Sequence, residues 1–351
     1  MNNVKTAIQP LNVEMGQQVR KYIDTLTKPP GSLGRLEELA IQLAEMTSEA
    51  FPAVSPAGVI VFAADHGVVE EGVSAFPQEV TVQMVMNFLN NGAAINVFSR
   101  QIGAMFEVVD IGVAADIEAD GVVKRKIRYG TSNFCKQDAM TRQEVEKAIA
   151  VGYERAEQMI GQGSKCLILG EMGIGNTTPS SAIVAVLSGL EVGTLVGQGT
   201  GIAEEKLTHK QNVIVRALKE RKPDPKDPID ILAKIGGLEI AGMTGAMLAA
   251  AANRIPIIID GFICTISALL AKGICQTASD YMIVGHRSVE PGHGIALQLL
   301  GKKPLLDLDL RLGEGSGAAV AFPILQSATL MLKEMATFAS AGISKEQRKG
   351  V

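Results

Sequence analysis

Five short, mostly apolar runs, each ending on a glycine or an acid, constrain this chain more than any other feature. Residues 59–64 (VIVFAA) run into Asp65-His66-Gly67, residues 105–111 into Gly112, and residues 166–169 (CLIL) into Gly170-Glu171. Residues 257–259 run into Asp260-Gly261, and 281–284 into Gly285-His286. Continuous apolar runs of this length suit strands buried on both faces, hence a parallel sheet. Helical patterns lie between or after them, at 78–91, 142–160, 178–187, 204–220, 238–252 and 262–271. Strand–helix alternation predicts an α/β fold: a Rossmann-like parallel sheet with helices on both faces and right-handed crossovers.

The two ends differ. Residues 12–26 and 324–338 read as helices with no strand beside them. The expected organisation is a large α/β catalytic domain over 27–322 and a small helical domain built from both termini, 1–26 and 323–351. Residues 222–228 carry three prolines and read as a rigid surface loop, because proline cannot continue a helix.

Composition excludes several function classes. A net charge of −4 without a long basic run argues against general nucleic-acid binding. A small anion stays open, because backbone amides bind phosphate without net positive charge. Aromatics are 4% of the chain and Trp is absent, which argues against an aromatic-lined sugar or single-strand groove. The four cysteines form no CxxC pair and read as buried free thiols in a reducing compartment. The N-terminus lacks a signal-peptide core. The most apolar windows are broken by Pro256, Asp260 and Lys272, or by Pro323 and Gln326, so no membrane span and a soluble, cytoplasmic protein are expected.

The polar chemistry gathers at strand ends, where ligands bind in open α/β sheets. Asp65 and His66 read as a substrate-orienting pair, as metal ligands, or as a capping acid beside a packed histidine. None of the four histidines has the i, i+4 pairing or short spacing of a metal site, so no metal is expected. Gly170-Glu-Met-Gly-Ile-Gly-Asn-Thr-Thr178 leads into a helix. Gly173, Gly175, Asn176, Thr177 and Thr178 could present backbone amides and the positive helix end to a phosphate. The segment is not a P-loop, since no lysine follows its last glycine, and its glycine spacing is wrong for GxGxxG. Gly199, Thr200 and Gly201 offer a second close backbone approach, before a helix holding His209 and Lys210. Residues 285–293, with Ser288, suit a binding loop or a plain connection. Gly313-Glu314-Gly315 holds one carboxylate between glycines, which suits either a base reaching a flat ligand or a surface turn.

In this order the segments resemble the nicotinate-nucleotide–dimethylbenzimidazole phosphoribosyltransferase family of cobalamin biosynthesis. The resemblance rests on KPPGSLGRLE at 28–37, ADHGVVEEGVSAFPQEVT at 64–81 and GEMGIGNTT at 170–178. GGLEIAGMTGA at 236–246, DGFI at 260–263, GHRSVEPGH at 285–293 and LRLGEGSGA at 310–318 continue it. It implies a homodimer that transfers phosphoribose from nicotinate mononucleotide to 5,6-dimethylbenzimidazole, with inversion at the anomeric carbon and no metal or redox cofactor. It further implies Glu314 as general base and the 175–178 and 199–201 amides, with Lys210, on the phosphate. Glu171 and Asp260 would meet the ribose, Glu171 also stabilising charge on the ribosyl carbon, and Ser74, Gln83 and Leu312 the flat base. Three other classes compete: a Rossmann-type oxidoreductase, whose GxGxxG is missing after the first strand; a non-catalytic nucleotide-binding sensor, which gives no reason for Glu314; and a metal-dependent hydrolase using Asp65 and His66.

Overall fold

All six strands of the main sheet run parallel, in the order β3-β2-β1-β4-β5-β6. The structure is a computed structural model and describes residues 6–197 and 204–344. Along the chain come α1 (Val13–Ile23), α2 (Arg35–Thr47), β1 (Ala57–Ala64), α3 (Glu79–Leu89), α4 (Ala94–Gln101), β2 (Met105–Gly112) and β3 (Val122–Lys124). Then follow α5 (Arg142–Gly161), β4 (Cys166–Met172), α6 (Thr177–Ser188), α7 (Glu204–Arg221), α8 (Pro228–Ile235), α9 (Leu238–Ala252), β5 (Ile257–Ile259) and α10 (Phe262–Ile274). The chain continues through β6 (Met282–Val284), β7 (His286–Arg287), α11 (Pro291–Leu300), β8 (Leu306–Asp307) and α12 (Ser316–Glu334). β7 and β8 form a separate two-stranded ribbon.

The expected α/β architecture is present, and its strand order is that of a doubly wound fold. Every residue of β1 is buried, which explains an apolar run with no alternation. β4 is buried except at its last residue. The order reverses between β1 and β4, so their carboxyl ends border a crevice at the topological switch point. α5 and α9 cover one face: Gly58 of β1 lies against Met159, and Gly242 against Phe62 and Ile111. α12 covers the other face, where Gly285 meets Ala318.

The two terminal segments meet. α1 packs on α2, and α2 on α12. Leu26 bridges Thr337, and the Phe338 N–H donates to the Thr25 carbonyl at 2.9 Å. α12 runs unbroken across the expected boundary at 322, with Pro323 inside it.

Two local expectations need correction. Pro228 does not belong to the proline loop; it opens α8, where its missing N–H costs nothing, and Asp227 caps the helix by accepting from the Ile229 and Asp230 amides. Residues 285–293 are not one loop, because Pro291 starts α11 and places His293 inside it. Among the described residues no helix is long and apolar enough to cross a membrane.

α5 and α9 are in backbone contact. A Cβ at Gly152 would overlap the Gly242 carbonyl, a partner that cannot rotate away. Gly152→Ala should therefore cost ~1–3 kcal/mol as an overpacked site, read as a lower urea midpoint at unchanged m. Gly161→Ala at the end of the same helix meets open space. It should be neutral or stabilise by up to ~1 kcal/mol. Equal midpoints for the two variants would remove the backbone-contact argument.

Candidate active site

A cavity of about 360 Å³ opens at the carboxyl ends of β4 and β5. Four of its walls carry the chemistry. β4 delivers Glu171, followed by the Met172–Thr177 turn; the end of β5 delivers Asp260. The loop before α12 contributes Leu312, Gly313 and Glu314, and α7 contributes Lys210. The segment after β1 and the start of α3 add Val73, Ser74, Phe76, Val80 and Met84, an apolar side suited to a flat ring.

Glu314 sits in an uncommon backbone state. Gly313, Glu314 and Gly315 are three consecutive left-handed residues, with φ of 89°, 64° and 89°. A non-glycine residue held there costs ~1–3 kcal/mol and persists only where its surroundings fix it. The fixing is visible. A side chain at Gly170 would overlap the Glu314 carbonyl, so the loop lies directly on β4. Asp260 grips the other side: its Oδ2 accepts from the Gly315 N–H at 3.2 Å and its Oδ1 from the Ala318 N–H at 2.9 Å. Asp260 is thus the cap of α12 as well as a cavity wall.

The site's acids are set apart by their surroundings. Burial, reinforced by the charges of Glu239 and Asp260, pushes the Glu171 carboxyl up to about 8. Its hydrogen bonds to Asn176 and to the Glu314 amide only partly offset this. Burial also raises Glu314, opposed by the Ile95 amide, which donates to its Oε2 at 3.4 Å. On the cation side, burial lowers Lys210 to about 8, with Glu290 pulling the other way. Lys210 Nζ donates to Thr177 Oγ1 at 2.8 Å. A lysine two turns into a helix is usually solvated; this one is 1% exposed.

Of the residues singled out from sequence, Glu171, Gly173, Gly175, Asn176, Thr177, Lys210, Asp260, Ser288, Leu312, Glu314 and Ser74 all line the cavity. Gly199, Thr200 and Gly201 lie outside the described residues. Thr178 is buried in the first turn of α6, and its N–H bonds the Gly175 carbonyl at 3.0 Å. The Asn176 N–H likewise bonds the Gly173 carbonyl, so both of these amides are used within the turn. Gln83 is exposed on α3, which turns Val80 and Met84 to the cavity instead.

Asp65 and His66 are not cavity walls. Asp65 Oδ1 accepts from Thr81 Oγ1 at 2.7 Å and Oδ2 from the Ala114 amide at 2.8 Å. Thr81 Oγ1 in turn accepts from the Ile174 amide at 3.1 Å, so Asp65 holds the 173–177 turn from behind. His66 Nε2 pairs with Glu239 Oε1 at 2.8 Å. Among the described residues no group of three His, Cys, Asp or Glu could hold a metal ion.

Sequence reading missed Glu239, His286 and the apolar lining of Phe76, Val80 and Met84. A lone acid in the 15-residue apolar helix α9 was a usable signal, since buried carboxylates need partners.

Because the folded state holds Glu171 protonated to a higher pH than the unfolded chain does, it loses stability as pH rises from ~4.5 to about 8. Glu171→Gln should remove that loss. Its stability relative to the parent should rise across this window and level off above it, checked by urea denaturation at pH 5, 7 and 9. A pH-independent difference would place the Glu171 carboxyl in its ordinary range.

A family model described as phosphoribosyltransferase matches residues 8–343. The nicotinate-nucleotide–dimethylbenzimidazole phosphoribosyltransferase of Chloroflexus aggregans is 52% identical over 341 residues, covering 97% of each chain. That of Halalkalibacterium halodurans is 51% identical, covering 96% of this chain and 95% of that protein. The crystal structure of CobT from Thermus thermophilus superimposes with a TM-score of 0.91 at 45% identity, covering 95% of this chain and all of that one.

Proposed function

The chain belongs to the nicotinate-nucleotide–dimethylbenzimidazole phosphoribosyltransferase family, and from that premise we propose that it moves phosphoribose from nicotinate mononucleotide to 5,6-dimethylbenzimidazole, with Glu314 as general base. The products are nicotinate and α-ribazole 5′-phosphate. The observation that carries the reading is Glu314 itself: one carboxylate on a strained loop, at the junction of the apolar wall and the polar walls of one cavity.

The flat base lies against Val73, Ser74, Phe76, Val80, Met84 and Leu312. The phosphate lies on the Gly175 and Thr177 amides with Lys210 beside them. One ring nitrogen of the benzimidazole attacks the anomeric carbon as the C–N bond to nicotinate breaks. The bonding pair goes to the pyridinium nitrogen and neutralises it, so no general acid is required. The ring N–H proton of the benzimidazole passes to Glu314. A base works best with a pKa near the operating pH, and burial moves Glu314 in that direction. Glu171, protonated before substrate binds, meets a cationic pyridinium on binding. That charge favours its ionised form, which then faces the positive charge developing on the ribosyl carbon.

A cytoplasmic homodimer is part of the reading. Met86 on α3, Val97 on α4 and Leu330 on α12 stand exposed, and α4 packs against α12. Light scattering on the purified protein measures the mass.

Glu314→Gln keeps the shape of the side chain and loses the proton acceptor. kcat should fall ~10²–10⁴-fold, the usual contribution of a positioned base, with substrate binding much less affected. In the wild type kcat should fall as pH drops through the Glu314 pKa, and this limb should vanish in the variant. Free nicotinate measured by chromatography gives both rates. A Glu314→Gln enzyme within tenfold of wild type, with chemistry rate-limiting, removes Glu314 and makes Glu171 the next candidate.

Gly175 has φ of 91°, and a Cβ there would press on Val69. Gly175→Val should raise the KM for nicotinate mononucleotide at least ~10-fold, since misplacing an anchoring group is costly. Lys210→Gln should raise it less. An unchanged KM in Gly175→Val would move the phosphate elsewhere.

A further inference from the structure

We propose that His286 is a positioning residue for the reaction: through Asp260 it holds the loop that carries Glu314 in its left-handed conformation. The proposal rests on Glu314 being the base, and adds how that base is kept in place.

Asp260 makes the contacts that tie the 313–315 loop to the sheet. Its two oxygens receive the Gly315 and Ala318 amides, and the first turn of α12 depends on both. A carboxylate bonded to two amides of one helix start can still swing about its own side-chain torsion, and each amide would then lose its acceptor. An ion-pairing imidazole opposes this. His286 Nε2 stands 3.4 Å from Asp260 Oδ1, with both side chains 3% exposed. Burial pushes the His286 pKa down, but Asp260, with the Arg287 backbone and the Asp307 charge, outweighs it and the net shift is upward, which favours the N–H form facing the carboxylate.

The surroundings are shaped around this imidazole. A Cβ at Gly317 would overlap the His286 ring, so the first turn of α12 closes directly on it. On the other side His286 belongs to β7 and is in register with Leu306 of β8, which anchors its backbone. The ring thus sits between a paired strand and the helix start, with Asp260 at its tip. Asp260's oxygens already hold two amides and one imidazole, so its main work is structural support of Glu314 rather than a ribose contact.

His286 also lines the cavity, so a direct substrate contact is the reading to be separated from positioning. The two differ in which constant moves. Loss of positioning affects an interaction made in the transition state, so kcat and kcat/KM fall together. Loss of a ground-state contact raises KM.

The test compares His286→Ala, His286→Gln and His286→Asn in the full chain, using nicotinate release. Glutamine places an N–H donor near the position of Nε2, while asparagine is polar but too short to reach Asp260. His286→Ala and His286→Asn should lower kcat up to ~10²-fold, the scale of a displaced catalytic group. The KM for nicotinate mononucleotide should stay within about threefold. His286→Gln should recover about tenfold of the loss. If the alanine variant does not fold, the Asn and Gln pair decides alone. In a Glu314→Gln background, His286→Asn should cost less than about twofold more, because the two residues act as one unit.

Equal impairment of the Asn and Gln variants would overturn the proposal. So would a rise in KM without loss of kcat, or a full additional loss in the Glu314→Gln background. A His286→Asn enzyme at wild-type kcat, beside a crippled Glu314→Gln, overturns the positioning and leaves the base standing. A Glu314→Gln enzyme at wild-type kcat overturns the base itself.

Discussion

The site hangs on one carboxylate that closes a helix. Asp260 leaves β5 at its carboxyl end and accepts the amides of Gly315 and Ala318. Hydrogen bonds to a charged acceptor contribute ~1.5–3 kcal/mol each. That is the right scale to offset a non-glycine residue at φ of 64°, which costs ~1–3 kcal/mol. The helix start also places partial positive charge beside the carboxylate. One interaction therefore joins the sheet, the last helix and the strained loop. The absent side chain at Gly170 lets that loop rest on β4.

Around that junction the protein buries an unusual number of acids. Asp65, Glu171, Glu239, Asp260 and Glu314 are all buried. Each finds a different accommodation. Asp65 is bonded by a hydroxyl and an amide, Glu239 by His66, and Asp260 by two amides and His286. Glu171 accepts from Asn176 yet still remains protonated up to about pH 8. Of these, Glu171, Asp260 and Glu314 line the cavity, and that latent negative charge suits a ligand that enters with a positive one, as a pyridinium nucleotide does. Such a ligand stabilises the ionised form of the nearest acid by simple Coulomb attraction.

Much of this is legible in the sequence, for physical reasons. Buried parallel strands must be apolar on both faces, so they stand out as runs, and ligand-facing groups must follow them. In the structure Glu171, Asp260 and residues 173–177 do line the cavity at the strand ends. The motif glycines read as one phosphate cradle, but they do separate jobs: Gly170 sits inside β4 beneath the Glu314 loop, and Gly175 makes the left-handed turn. Lys210 is singled out only by the resemblance, because nothing local distinguishes a surface lysine from one that a neighbouring helix covers. Gln83 fails for a geometric reason. Two residues along a helix is roughly 200° of rotation, so with Thr81 buried against Asp65 its side chain must face out. Pro228 reads as a breaker, although proline at the first helical position is favourable.

The switch-point topology explains why two substrates can be held in register. β1 and β4 are neighbours, but their crossovers leave in opposite directions, so each strand supplies its own wall. The chain after β1 builds the apolar wall through residues 73–84, and the chain after β4 builds the glycine-containing turn of residues 173–177. Two walls on separate crossovers would drift independently without a tie. The buried relay from the Ala114 amide through Asp65 and Thr81 to the Ile174 amide is that tie. It joins β2's exit, β1's end, α3 and the turn in one line of hydrogen bonds. In-line displacement needs the attacking and leaving groups fixed to a fraction of an ångström. Asp65 thus fixes the distance between the walls, while Asp260 fixes the loop that carries Glu314 above them.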